Sequence, residues 1–178
     1  MIKTNLLLGE RVTLRAMEPE DLEVLYTLEN DTTLWDVSSV NVPYSRYLLK
    51  QFIAKGTHDI YTDGQLRLMV ESVEEGTVVG MADLVDFNPR HLRAEIGIVL
   101  GRDYRGRGFG TEVLFLMERY VQEFLHLRQL YSYVSVKNEA SIKLFQKANY
   151  VDTCTLRNWL YVGNEFVDAK IFQRIFEK

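Results

Sequence analysis

Residues 105 to 111 read RGRGFGT, in which Gly106, Gly108 and Gly110 alternate with Arg107 and Phe109, with Arg105 in front and Thr111 behind. A glycine inside a helix costs about 1 kcal/mol relative to alanine, so three so close together mark a place where bare backbone is required. Directly after them Val113, Leu114, Met117, Val121, Phe124 and Leu125 recur at spacings of three and four, with Glu112, Glu118, Arg119, Gln122 and Glu123 opposite, the pattern of an amphipathic helix. The unpaired amides of roughly Arg107 to Thr111 then point along the helix axis at its positive end, and Arg105 and Arg107 add charge at the mouth. The chemistry this suits is anion binding, and a diphosphate suits it better than an isolated carboxylate. A tight structural turn is the competing explanation, although a turn needs one glycine or two.

Other glycine motifs do not fit. Counting G-x-G-x-x-G from Gly106 ends on Thr111 and from Gly108 on Val113, which excludes the dinucleotide fingerprint, and no G-x-x-x-x-G-K-[ST] string exists. An RG-rich RNA-binding segment belongs in a basic disordered tail, whereas this chain of 178 residues carries a net charge of −4 and a pI near 5.5. That balance gives no general attraction to nucleic acid or to an anionic membrane. Cys154 is the single cysteine, which excludes an internal disulfide, and a buried inert thiol is expected. His58, His91 and His126 are scattered without ligand spacing and read as surface or loop residues, so no metal site is expected. The apolar run Leu6-Leu7-Leu8 is too short for a signal core or a membrane span, and the expectation is a soluble, cytoplasmic protein.

The elements that position the glycine segment follow from period. Arg11 to Arg15 alternates as a strand, and Pro19 with Glu20 and Asp21 starts a helix carrying Leu22, Leu25 and Tyr26. A less regular stretch from Thr32 to Tyr44 precedes a second short helix across Ser45 to Lys55. QLRLMVES and VVGMADLVDF about the turn VEEGT form a hairpin, and in LRAEIGIVL Ala94, Ile96, Ile98 and Leu100 face one way while Glu95, Gly97 and Val99 face the other. After the amphipathic helix come the strand LYSYVSV, a short helix capped by Asn138, and two strands about Gly163-Asn164. With 47% apolar residues, 178 residues fill one core, and the order β α α β β β α β α β β predicts one α/β domain over residues 1–178, a mixed sheet flanked by helices.

On these residues the chain resembles the GCN5-related N-acetyltransferases. Arg105-x-x-Gly108-x-Gly110 matches that family's [RQ]-x-x-G-x-[GA] loop, which grips the pyrophosphate of acetyl-coenzyme A. The stretch from Arg67 to Glu112 is similar to the middle of the subgroup containing spermidine N-acetyltransferase and the acetyltransferases of ribosomal-protein N-termini, and VKNEASIKLFQKANY to its second cofactor segment. The resemblance implies a splayed parallel strand pair, Leu92 to Leu100 and Leu130 to Val136, forming the cofactor cleft. It also implies amides near Ile98, Val99 and Leu100 pairing with the pantetheine arm, and Asn138 and Ser141 along the arm and adenine side. For Asn138, helix capping is an equal explanation, and both can hold at once.

Acetyl transfer to an amine needs the amine uncharged, and an alkylamine of pKa about 10.4 must lose its proton on the enzyme. Glu95 aligns with the glutamate of the family's RAE stretch, and Asp83 and Asp86, three apart on a strand and so on opposite faces, are the other candidate bases. A polyamine is compatible with acidic residues such as Glu29, Asp31 and Asp36, and a peptide N-terminus is equally compatible. Phe145 stands where the family often has a tyrosine that protonates the departing sulfur. Two function classes stay open, an active N-acetyltransferase and an acetyl-coenzyme A-binding regulatory module with little turnover. Trp159, Leu160, Tyr161 and Phe166 crowd a terminal hairpin through which relatives often associate, so a homodimer is expected.

Overall fold

The alternating and helical runs of the sequence become strands and helices in a computed structural model, which describes residues 6–35, 42–55 and 59–177. In chain order the elements are β1 (Val12–Arg15), a 3-10 turn (Pro19–Asp21), α1 (Leu22–Glu29), α2 (Thr32–Trp35), α3 (Arg46–Lys55), α4 (Ile60–Asp63), β2 (Leu66–Ser72), β3 (Val78–Asn88) and β4 (Arg93–Leu100). There follow a second 3-10 turn (Arg102–Tyr104), α5 (Phe109–Glu123), β5 (Gln129–Ser135), α6 (Glu139–Lys147), β6 (Val151–Val162) and β7 (Glu165–Ile175). The strand order is β1-β2-β3-β4-β5-β7-β6 in a seven-stranded sheet.

The chain divides into two compact units, one of Met1–Met17, Thr57–Leu130 and Ile175–Lys178 and the other of Glu18–Gly56 and Tyr131–Arg174. In the first, β1 to β4 form an antiparallel meander, with Leu14 opposite Val70, Met69 opposite Met81 and Ala82 opposite Ile98. The amphipathic face of α5 is buried here, with Val113, Leu114, Met117 and Val121 fully removed from water. Leu116 shares that burial, whereas Phe124, expected on the same face, is exposed, because the helix ends at Glu123 and Phe124 turns out to stack on Tyr120.

Local sequence explains the element ends. Pro19 opens the first turn, where its missing N–H is no loss, and the Asp21 carboxylate accepts the Glu18 N–H at 2.8 Å. In the second unit Asn138 caps α6 by accepting the Ser141 N–H at 3.1 Å, as its residue type predicts. Gly163 and Asn164 adopt φ of 57° and 69°, the left-handed pair a two-residue hairpin requires. The single turns α2 and α4 lie outside the sequence reading, being too short to show a period. In α4 the ends carry the information instead, with Asp59 accepting from Tyr61 N and Gly64 closing the turn at φ 68°.

One expectation for the C-terminal strands is corrected. Cys154 is exposed rather than buried, since β6 is the last strand of the sheet and Val151 to Thr155 all face water. Trp159, Tyr161 and Phe166 are more than half exposed. His91 and His126 are exposed as expected, while Asp36 and His58 lie outside the described residues.

Candidate functional site

The glycine segment bridges the second 3-10 turn and the start of α5. Gly106 and Gly108 adopt φ of 71° and 86°, the left-handed region that a Cβ disfavours. Gly108 is the N-cap of α5, so the amides of Phe109, Gly110 and Thr111 have no carbonyl four residues back to bond. A Cβ on Gly106 would meet nothing within 4 Å, whereas one on Gly108 would stand 2.8 Å from Nη1 of Arg11. Residues 105 to 108 are exposed and Phe109 is buried, which anchors the helix start while leaving the backbone before it open.

Three arginines surround this backbone. Arg11 donates from Nη2 to the Arg107 carbonyl at 2.6 Å and lies 4.8 Å from the Phe109 ring centre. Arg107 covers the same ring at 5.1 Å and the Tyr104 ring at 5.5 Å, and its Nη2 reaches Glu75 at 3.4 Å. Arg105 folds back, its Nε donating to the Leu100 carbonyl at 3.0 Å. In the first turn of α5 the Glu112 carboxylate accepts the Glu10 and Arg11 amides at 2.5 and 3.0 Å, pinning the chain before β1 to the helix. Arg11 and Glu112 escaped the sequence reading because their partners lie about a hundred positions away, and nothing local marks such a pairing.

β4 brings the carbonyl of Leu100 and the Arg105 guanidinium together. Because Gly101 N donates to Val79 O, the alternation of an antiparallel ladder directs the Val99 amide toward β3 and turns those of Ile98 and Leu100 away from it. The expectation for all three amides is therefore narrowed, since Val99 has its N–H committed to the ladder. Asn138 and Ser141 meet at the start of α6 in the other unit, where the cap bond occupies the Asn138 side-chain oxygen. Phe145 is buried in α6, edge-on to Tyr150 at 5.0 Å and stacked on Phe172 at 5.8 Å.

The three carboxylates occupy different settings. Asp83, opposite Gly97, is gripped by Arg67 through both oxygens at 2.8 and 2.7 Å, and both side chains are about one-fifth exposed. Asp86 sits where the β3–β4 register breaks, at φ 46°, with its half-exposed carboxylate 3.7 Å from Arg93. Glu95 is half-buried on β4, opposite Val85. Among the described residues no group of three or more His, Cys, Asp or Glu side chains is placed to hold a metal ion. Among them, too, no helix is long and apolar enough to cross a membrane.

Known proteins are similar to this chain over most of its length. A spermidine N(1)-acetyltransferase of Escherichia coli K12 is 28% identical over 162 residues, covering 89% of this chain and 82% of the relative. A spermidine N(1)-acetyltransferase of Vibrio cholerae serotype O1 is 24% identical over 164 residues, covering 92% of each chain. Among solved structures, a mutant form of the spermidine N-acetyltransferase SpeG from Vibrio cholerae superposes with a TM-score of 0.81 at 25% identity, covering 94% of this chain and 95% of that one. The model of the acetyltransferase (GNAT) domain matches residues 11–151, from the arginine beside the glycine loop to the first residue of β6. The chain belongs to the GNAT acetyltransferase family and is an N-acetyltransferase.

Proposed function

We propose that the protein transfers the acetyl group of acetyl-coenzyme A to a primary amine of a polyamine of the spermidine class. The observation that carries the donor half of this reading is the start of α5, where left-handed glycines leave the amides of Phe109, Gly110 and Thr111 bare beside Arg105, Arg107 and Arg11. These residues fit a diphosphate, because bare N–H groups at a helix N-terminus and guanidinium groups are its usual partners. The polyamine half is supported by relatives named as spermidine N(1)-acetyltransferases that span most of this chain.

Acetyl-coenzyme A supplies a thioester, whose carbonyl carbon takes the lone pair of the amine while the carbon–sulfur bond breaks and sulfur leaves with the electron pair. In direct transfer within a ternary complex, the amides of Ile98 and Leu100, turned away from β3, pair with the pantetheine arm. Glu95 takes the amine proton, directly or through water. Asp83 is less suited to that role because Arg67 engages both of its oxygens. Phe145 offers no proton, and a thiol of pKa about 8.5 leaves as thiolate without one. Asn138 and Ser141 border the donor's arm. We further propose that residues 1–178 act as one domain, that the enzyme works in the cytoplasm, and that it associates through the exposed Tyr161 and Phe166, which pack edge-on at 5.2 Å.

Thiolate release on mixing acetyl-coenzyme A with a panel of spermidine, spermine and a short peptide with a free N-terminus tests the reading. Turnover with the polyamines and little with the peptide is expected. Preference for the peptide moves the acceptor class, and silence with every amine while acetyl-coenzyme A still binds establishes the regulatory-module alternative.

A further inference from the structure

The register of β6 on β7 breaks between Leu156, opposite Ala169, and Leu160, opposite Val167. Arg157, Asn158 and Trp159 thus share the space across from Asp168. Asn158 absorbs the excess with φ of 52°, and its N–H donates to the Asp168 carboxylate at 2.8 Å. A bulge bends its strand and re-aims the side chain beside it. Here that side chain is Trp159, whose indole stacks on Tyr133 with ring centres 6.0 Å apart and planes 25° from parallel. Tyr133 belongs to β5, and β7 lies between β5 and β6, so the indole reaches across a whole strand. Tyr133 is on the face of β5 opposite buried Ser132 and Val134, with Tyr131 edge-on to it at 5.7 Å.

Core packing does not account for this arrangement, because the indole is 56% exposed and Tyr133 is also open to water. Its place in the fold points to a ligand. The Asp168 carbonyl accepts from Val136 N at 3.1 Å, at the carboxyl end of β5, and Asn138 follows at once as the cap of α6. In open α/β sheets ligands gather beyond the carboxyl ends of the strands.

We propose that Tyr133 and Trp159 form an aromatic platform that receives the charged arm of the acceptor, making them specificity-determining residues of the transfer. This rests on the polyamine reading above. In a polyamine, nitrogens remote from the reacting one stay protonated at neutral pH, and a cation is drawn to the open face of an aromatic ring. The Asn158–Asp168 latch positions the indole and itself touches no acceptor.

Steady-state kinetics of wild type, Trp159→Ala, Trp159→Phe and Tyr133→Ala, with spermidine and with a spermidine analogue lacking the distal ammonium, test the platform. Trp159→Ala is expected to raise the spermidine KM roughly three- to thirty-fold, the span of one cation–aromatic contact, with the KM for acetyl-coenzyme A unchanged. Trp159→Phe restores most of the loss, and the analogue discriminates little between the variants. An unchanged spermidine KM, an equal loss with the analogue, a shifted KM for acetyl-coenzyme A, or a change of assembly state by light scattering overturns the platform while leaving a spermidine-active wild type, and so the polyamine reading, intact. A wild type that acetylates a peptide and ignores spermidine overturns both. Thermal melts of all variants identify any loss due to misfolding, and if Trp159→Ala misfolds, Tyr133→Ala, expected to raise the spermidine KM in the same way, carries the test.

Discussion

Replacing Gly108 by alanine isolates the helix start as the donor site. The residue holds φ of 86°, and placing a Cβ in the left-handed region costs roughly 1–2 kcal/mol. For a chain of this size that corresponds to a fall in Tm of about 2–8 °C. The new methyl would also lie 2.8 Å from Nη1 of Arg11, a flexible side-chain end, so Arg11 swings aside and its 2.6 Å bond to the Arg107 carbonyl is lost. Gly106→Ala is the matched control, since its φ of 71° carries the same backbone cost while its Cβ would meet nothing within 4 Å. The expected outcome is a similar loss of Tm in both variants. In Gly108→Ala alone, acetyl-coenzyme A affinity by titration calorimetry falls at least about tenfold, which is about 1.4 kcal/mol. A Gly108→Ala variant that is destabilised yet binds acetyl-coenzyme A as wild type does would refute the assignment of the phosphates to this helix start. Equal affinity losses in both variants would trace the effect to general distortion of the loop.

Further outcomes follow from the same geometry. Arg105→Ala weakens acetyl-coenzyme A by less than about tenfold, because its guanidinium is partly engaged by the Leu100 carbonyl and the backbone donors remain; calorimetry at two salt concentrations checks it. Phe145→Tyr raises kcat less than about tenfold and lowers Tm, since the ring it enlarges is buried and packed on Tyr150 and Phe172; a larger gain would mean that proton donation to sulfur limits the enzyme. Asp83→Asn lowers stability by about 1–3 kcal/mol through the broken pair with Arg67, and Glu95→Gln lowers kcat by more than Asp83→Asn does; a larger loss of kcat in Asp83→Asn exchanges their roles. Native protein exposes one reactive thiol per chain, Cys154, to a disulfide reagent, and protection without denaturant would place that strand in an interface.

Features that depend on neighbours within a turn or a hairpin were legible in the residues alone. Asn138 caps α6 because its side chain reaches an amide three residues on, Gly163-Asn164 turns because both residues tolerate positive φ, and the alternating runs became β2, β3 and β4 because a strand repeats every two residues. The glycine segment was legible for the same reason, since bare left-handed backbone before an amphipathic helix is written in consecutive residues. Features that depend on strand order and on pairing between distant residues emerged with the fold. Cys154 reads as apolar and became exposed because β6 ended up outermost. Asp83 reads as one strand carboxylate among several, and only the β2–β3 register brings Arg67 opposite it to engage both of its oxygens. Arg11 at the glycine loop and Trp159 on Tyr133 come together across long stretches of chain, through a β-sheet register and a bulge that no local spacing encodes.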